Sequence, residues 1–401
     1  MVRTQHHQFI TFNYETEQLT PDMWISLGEA MSKSQHLAGV PLKPAAAETM
    51  MRIALIRGLQ ATTAIEGNTL SQDEVGEIVA KGTANVPPSL EYQEQEVKNV
   101  LVVLKEIDLA LAEGVLIPIT VPLLCKWNAQ VLNGTADVAE VVPGQLRPHN
   151  VTVGKYVAPH WQEVPALLDE LCGWLRDLRA RVDEQSTDRE RFVCAVTAAM
   201  LAHLYVAWIH PFGDGNGRVA RLLEVLILSE SGVVPVVATN LLSDHYNKTR
   251  PQYYKALDRA QSDVTEFIRY ALQGFLDELR VQIAVIRAES RTIHWESYVY
   301  ETFREHPSTM ARDRQRELAL TMPSGRWISP NGATELNPGI AKKYAVCGPR
   351  TPTRDLNDLT KMGLVVRKGR RYRANRKVIE AFVPPTWSEQ EPERENERML
   401  F

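Results

Sequence analysis

The segment His210–Arg221, HPFGDGNGRVAR, places a histidine, an aspartate, an asparagine, three glycines and two arginines within twelve residues. Each type brings a distinct capacity. His210, with an unperturbed pKa of about 6.5, can take a proton near neutral pH. Asp214 is a hard oxygen ligand, suited to a Mg²⁺ ion that also binds phosphates. Gly213, Gly215 and Gly217 allow backbone conformations in which successive N–H groups turn inward as an anion nest. Asn216 can orient an acceptor. Arg218 and Arg221 stand three residues apart, on one face of a helix whose N-terminus adds partial positive charge. The assembly reads as a polyphosphate cradle with a metal and a base. It lacks the GxxxxGK[ST] pattern of a Walker loop. Its DGNG lacks the downstream ligand spacing of a calcium loop. A lone GDGNG would read as a turn between core helices; the conjunction of residue types points to function.

Helices must hold this loop. Arg189–Ile209 is apolar on all sides and Ala-rich, so it reads as a buried central helix that His210 closes. Pro211 favours leaving that helix, and Gly217–Ser231 resumes. Helical periodicity also predicts Ala45–Ile65, Ser89–Glu113, Val121–Leu132, Glu163–Val182, Tyr246–Ala260 and Val264–Glu289. Asn150–Ala158, NVTVGKYVA, alternates around a Gly-Lys and reads as a small hairpin. The expected fold is mainly α: a helical bundle with a small β-hairpin flap.

The loop resembles the Fic-family motif HxFx(D/E)GNGRxxR, with every specified position filled. It is similar to the branch that transfers AMP from ATP to protein hydroxyls. It departs from the Doc-type kinases, which carry Lys where this chain has Gly217. The resemblance extends across roughly 143–277. It includes PGQLRPHNVTVGKYVAPHWQEVPALLDEL, similar to the family's flap region, and RPQYYKALDRAQ. It implies that His210 deprotonates the target hydroxyl and that Asp214 holds Mg²⁺. Asn216 and the Gly213–Gly217 amides would stabilise charge on the α-phosphate. Arg218 would bind the phosphates and Arg221 the γ-phosphate. Tyr253 and Tyr254 would line the adenosine pocket, and Gln261 falls where the family often has Asn. The flap around Val151, Thr152, Val153 and Gly154 would dock a target segment as an added strand.

Upstream, Thr62-Thr-Ala-Ile-Glu66-Gly67 resembles the family's inhibitory motif, [S/T]xxxE[G/N]. Read alone, Glu66 is a surface carboxylate near a helix end. Beside a Fic motif, the resemblance implies that Glu66 pairs bidentately with Arg221 and denies the γ-phosphate its site. The brake would thus lie on an N-terminal helix.

Toward the C-terminus the texture changes. Residues 295–377 carry 17 Lys/Arg against 8 Asp/Glu, a net of +9 within a chain of net −4. TPTRDLNDLTKMGLVVRKGRRYRANRK reads as a helix (Thr351–Met362), a strand (Leu364–Arg367), a turn at Gly369 and a second strand (Arg370–Ala374). It looks like a winged-helix domain. Thr353, Arg354, Arg370, Arg371 and Arg373 are its candidate DNA contacts. The alternative is a protein-interaction or dimerisation module with solvated charge.

At 401 residues, 44% hydrophobic and 23% charged, the chain is of globular composition and predicts two or three domains. The expected division is 1–112, an N-terminal region with the inhibitory helix; 113–290, the Fic core; 291–380, the winged helix; and 381–401, a disordered acidic tail. No apolar run approaches the ~18–20 residues of a membrane span, and Met1–Asn13 has no signal-type stretch. His6 and His7 are placed in a mobile terminus, and His149 and His160 beside the flap. Cys125, Cys172, Cys194 and Cys347 form no CxxC, which fits a reducing cytoplasm.

The expected activity is autoinhibited, Mg²⁺-dependent AMP transfer from ATP to a Tyr, Thr or Ser hydroxyl of a target protein or of the chain itself. Two alternatives stand beside it: AMP removal by the same site, with Glu66 acting on water, and a DNA-binding regulator with a nucleotide-sensing Fic core. The resemblance also favours a homodimer.

Overall fold

The computed structural model describes residues 7–135, 141–182 and 186–380. The expected acidic tail 381–401 lies outside the described residues, as does His6. The chain divides into two compact units, Met1–Ala284 and Val285–Phe401.

The first unit opens with α1 (Pro21–Gly39), α2 (Pro44–Ala64), α3 (Gln72–Lys81), α4 (Glu91–Ala112) and α5 (Val121–Val131). The hairpin follows: β1 (Thr152–Val153) pairs antiparallel with β2 (Tyr156–Val157). Then come α6 (Val164–Ala180), α7 (Asp188–Ile209), α8 (Asn216–Glu230), α9 (Leu241–Lys248) and α10 (Arg250–Arg259). The chain is mainly helical, with two-stranded sheets only among the described residues.

Helix α7 is the axis. A capping box starts it: Thr187 accepts from the Glu190 amide while Glu190 accepts from the Thr187 amide. Nearly every residue from Phe192 to Ile209 is buried. Helix α8 packs along it, α6 and α1 also lie on it, and α2, α4 and α5 lie on α8. By length and composition alone α7 could cross a membrane, contrary to the sequence expectation. Its apolar window is 89% buried inside the protein, so it serves as a core helix.

The structure alters four expectations. The predicted helix Tyr246–Ala260 is two, α9 and α10, broken at Thr249 (φ −117°, ψ 35°). Pro251 in the first turn of α10 has no N–H to continue the ladder. The predicted helix Val264–Glu289 continues to Arg304 as α11 (Thr265–Arg304), with residues to Ala284 in the first unit and the rest in the second. The change of composition near 291 therefore does not end the helix. Helices α1 and α3 were not foreseen. His7, assigned to a mobile terminus, is buried, and its Nε2 lies 2.8 Å from the Val157 carbonyl of the hairpin.

The second unit adds α12 (Met310–Thr321), α13 (Pro330–Ala333), α14 (Pro338–Ala345), α15 (Thr351–Lys361), β3 (Val365–Lys368) and β4 (Arg371–Ala374). Strands β3 and β4 pair antiparallel, and Ile328 bridges to Tyr372. Gly363 (φ 76°) and Gly369 (φ 61°) take the left-handed conformations that stop α15 and turn the hairpin. Its core gathers Trp295, Val299, Leu318, Ile340, Leu356, Leu364 and Tyr372.

Candidate active site

The loop between α7 and α8 is built around two left-handed residues. His210 (φ 48°, ψ 61°) caps α7, its amide donating to the Val206 carbonyl at 2.9 Å. Gly215 (φ 79°) precedes α8. A non-glycine residue at positive φ persists only where its surroundings hold it there, and here Arg147 helps to do so. Arg147 is 2% exposed. Its Nε donates to the His210 carbonyl at 2.8 Å, its Nη1 to the His149 carbonyl at 2.7 Å, and its Nη2 to the Pro159 carbonyl at 2.5 Å. The negative end of the α7 dipole, presented by the His210 and Ile209 carbonyls, helps offset the buried charge. Tyr156 of the hairpin donates to the Trp208 carbonyl at 2.7 Å. Base, loop and hairpin are thus fastened together.

The three glycines serve different ends. Only Gly215 among them has positive φ. A Cβ at Gly213 would run into Val141, and one at Gly217 would run into the Glu66 carboxylate. The expected nest is partly filled from within, because the Gly215 amide donates to Asp214 Oδ1 at 2.5 Å. The Asn216 side chain is occupied by the loop itself. It accepts from the Phe212 amide and donates to the Phe212 carbonyl, both at 2.9 Å. The side chain thus closes the loop, with one of its two amide N–H groups given to the Phe212 carbonyl. What α8 offers an anion is its N-terminus, since the first helical donor is the Val219 amide to the Gly215 carbonyl. Asn128, buried in α5, fixes the loop from outside. It donates to the Asp214 carbonyl at 2.8 Å and accepts from the Gly144 amide at 2.9 Å.

Both arginines are buried and paired. Arg221 Nη2 lies 2.6 Å from Glu66 Oε1 and 3.0 Å from the Thr62 carbonyl, and Nε donates to Thr62 Oγ1 at 2.7 Å. The expected bidentate pair is corrected to a single contact: one Glu66 oxygen meets Nη2, while Thr62 takes the Nε edge of the guanidinium. Arg221 Nη1 has no hydrogen-bond partner. The Glu66 side chain keeps 29% of its surface exposed. Burial pushes its carboxyl up, but Arg221, with Arg218 and His210 behind it, outweighs that and holds it below the usual range. Gly67 (φ 103°) ends the α2 segment, and Arg250 donates to the Ala64 carbonyl at 2.6 Å, capping the helix just before Glu66.

Arg218 pairs through Nη2 with Asp214 Oδ2 at 3.2 Å and through Nη1 with Glu96 Oε1 at 3.3 Å. Burial raises the Glu96 carboxyl; Asn68 and Arg218 pull it down, and Asp214 and Glu66 add to the rise, which prevails. Burial likewise pushes His210 below the ordinary imidazole range. The Ala207 carbonyl opposes this, Arg147 reinforces it, and Glu66 and Asp214 oppose it more weakly. His210 is therefore uncharged near neutral pH, the form a base requires.

The expected nucleotide-pocket residues divide. Tyr253 is a core residue, its hydroxyl 2.8 Å from His203 Nε2 and its ring stacked on Tyr246 at 4.9 Å. Beneath it, Glu224 receives the Tyr246 hydroxyl at 2.8 Å and lies 3.0 Å from His203 Nδ1. Tyr254 is 50% exposed, and Gln261 is half-buried, donating to Asp258 at 3.2 Å. In the hairpin, Thr152, Val153 and Gly154 are exposed and Val151 half-buried, just before the strands. Sequence reading did not single out Arg147, Asn128, Glu96 or Asn68. The one signal available for Arg147 was its place in the RPHN stretch before the hairpin.

In the second unit, Arg370 and Arg371 are exposed beside the Gly369 turn, and Thr353 and Arg354 are exposed on α15. Arg373 instead lies over the Trp327 ring, 4.6 Å from its centroid, and so is not a free wing-tip cation.

A central helix capped by a left-handed histidine, a glycine loop with one carboxylate, and a second helix carrying two buried arginines together define a Fic-type domain. Residues 118–228 match the family model described as Fic/DOC family, so this part of the chain is a Fic domain. The protein adenylyltransferase fic-1 of Caenorhabditis elegans is 29% identical over 245 residues, which cover 61% of this chain and 44% of that protein. The protein adenylyltransferase Fic of Drosophila ananassae is 27% identical over 259 residues, 63% of this chain and 48% of that one. The chain thus spans about half the length of these relatives. A solved Fic family protein from Desulfovibrio desulfuricans G20 superposes with a TM-score of 0.52 at 22% identity. That match covers 89% of this chain and 96% of that one, and it shows the shared fold. The solved fic-1 fragment of C. elegans gives a TM-score of 0.53 at 26% identity, covering 67% and 73%.

Proposed function

We propose that this chain transfers AMP from ATP to a hydroxyl side chain of a protein target or of itself, and that Glu66 holds the activity in check. The observation that carries the reading is the state of Arg221 at the N-terminus of α8. The guanidinium is buried, one nitrogen has no partner, and a carboxylate lies where an anion would bind. A phosphate in that position would meet the guanidinium and the helix N-terminus together.

In the proposed step the target hydroxyl oxygen bonds to the α-phosphorus. The bond from that phosphorus to the oxygen bridging the β-phosphate breaks, and pyrophosphate leaves. The hydroxyl proton passes to the neutral ring of His210. Arg218 and Arg221 fix the phosphates, and the first-turn amides of α8 face the developing charge. The exposed hairpin offers backbone edges on which a target segment could pair, bringing its hydroxyl in line.

The residues present fit magnesium. The Asp214 side chain is 54% exposed, and no cluster of three metal-ligating residues exists among the described residues. One accessible carboxylate suits an ion that takes its other ligands from phosphates and water. Asp214 would hold it, and the ion would neutralise phosphate charge.

The test is incubation of the full chain and its Glu66→Gly variant with α-labelled ATP and Mg²⁺, alone and with cell lysate. Label on protein, stronger for the variant, is expected. No label from either would refute the reading.

A second reading concerns residues 285–380, which we propose to be a winged-helix module that binds duplex DNA, with α15 in the major groove and β3–β4 as the wing. The exposed Arg370 and Arg371 at the hairpin turn support it.

A further inference from the structure

Arg218 has two carboxylate partners of unequal character. Asp214 is half exposed, whereas the Glu96 side chain is 15% exposed and comes from α4, far from the loop in sequence. Glu96 is itself held, since its Oε2 accepts from Asn68 Nδ2 at 2.9 Å. Asn68 is buried, donates also to the Gln93 carbonyl at 2.9 Å, and accepts from the Leu70 amide at 3.0 Å. It stands two residues after Glu66. The segment Thr62–Asn68 therefore reaches both arginines, Arg221 directly and Arg218 through Glu96.

We propose that Glu96 is a positioning residue that holds Arg218 on the phosphate site and, through Asn68, ties that arginine to the segment bearing Glu66. The proposal rests on the adenylyl-transfer reading above. A buried guanidinium is strongly unfavourable without a flanking anion, and Arg218 Nε already lacks a partner. Asp214 is the carboxylate that magnesium would engage. Once it turns to that task, Glu96 is the anion left to keep the guanidinium in place. Without Glu96, Arg218 would be drawn to Asp214 and away from the phosphates. The opposite view is that the Glu96 charge merely repels the nucleotide. The two views predict effects of opposite sign.

The deciding measurement is calorimetric binding of ATP to the full chain in a Glu66→Gly background. It compares Glu96 with Glu96→Gln and Glu96→Asp, each with Arg218 intact and with Arg218→Ala. Glu96→Gln should weaken ATP binding about tenfold, the order expected when one charge-assisted contact to the ligand is loosened. Glu96→Asp, which keeps the charge but withdraws it by one methylene, should weaken it by a smaller factor. Neither change should matter once Arg218 is Ala, because the effect acts through that side chain. Should Glu96→Gln fail to fold, Glu96→Asp carries the cycle alone. Unchanged or tighter binding with Arg218 intact, or an equal loss with and without Arg218, overturns the proposal. AMP transfer is read on the same preparations. A parent that binds ATP but transfers no AMP sinks the adenylyl-transfer reading, while the binding cycle still decides the role of Glu96.

Discussion

Glu66 Oε1 lies 2.6 Å from Arg221 Nη2 across 155 residues of sequence, and the Glu66 carboxyl meets the first turn of α8 at Gly217. A carboxylate is held where the helix N-terminus and a guanidinium both favour an anion.

Glu66→Gly should raise AMP transfer by up to ~10²-fold, the factor a corrected phosphate alignment can return. Glu66→Gly with Arg221→Ala should stay low, because Arg221 would also be the ligand of the γ-phosphate. Labelling is measured side by side on the wild type and both variants. A Glu66→Gly protein as slow as an active wild type would exclude the brake.

Thr62→Val keeps the shape of the side chain but removes the acceptor of Arg221 Nε. A buried donor left without a partner costs about 1–3 kcal/mol, so the melting temperature should fall. Transfer should rise, though less than for Glu66→Gly, because the carboxylate keeps its charge. An unchanged melt would mean that Thr62 plays no part in holding the arginine.

His210→Ala should slow transfer ~10²–10⁴-fold while ATP binding and the far-UV spectrum stay close to wild type. The pH profile of the Glu66→Gly parent adds a sign. The base acts when unprotonated, so the rate falls as pH drops through its pKa. Burial lowers that pKa, which puts the acid limb below the ~6.5 of free imidazole. An acid limb above that value would contradict an uncharged, buried His210.

Arg147→Ala removes the donors that join the His210, His149 and Pro159 carbonyls. We expect a loss of about 2–4 kcal/mol in denaturant unfolding, and slow transfer even where the variant folds. Arg147→Lys should not rescue it, since a single ammonium cannot span the three carbonyls. Wild-type stability in Arg147→Ala would refute the clamp.

For the second unit, binding of the full chain to duplex DNA should weaken with salt, log affinity falling ~0.9 per phosphate contact per decade. Arg370→Ala with Arg371→Ala should flatten that slope, and Arg373→Ala should change it less because Arg373 stacks on Trp327. Self-association without DNA binding at low salt would favour an interaction module.

What could be read from sequence was what lies close along the chain. The loop His210–Arg221 is contiguous, so its residue types and spacing carried its chemistry. Most of the long helices, α1 excepted, followed from apolar periodicity. The fastenings of the site were hidden because they join distant segments: Arg147 to the end of α7, Asn128 to the Asp214 carbonyl, Glu96 to Arg218. No local pattern distinguishes such a side chain from an ordinary polar residue on a helix or loop. Asn216 shows the opposite limit. Its presence was legible, but its engagement with Phe212 depends on how tightly the loop closes on itself. The break between α9 and α10 was missed because the periodicity continues across it, and only Pro251 marked it.

Gly217 gives the loop a second significance. It sits inside the first turn of a helix, where glycine is weaker than alanine by roughly 0.5–1 kcal/mol, yet its φ is ordinary and no left-handed turn requires it. What it provides is vacant volume, and Glu66 occupies it. A side chain at 217 would therefore meet the end of the Glu66 side chain and make that carboxylate shift. A lysine at this position, as in the Doc-type kinases, would move the carboxylate from its present place against Arg221. The residue chosen at 217 and the place of the carboxylate that follows α2 are thus linked.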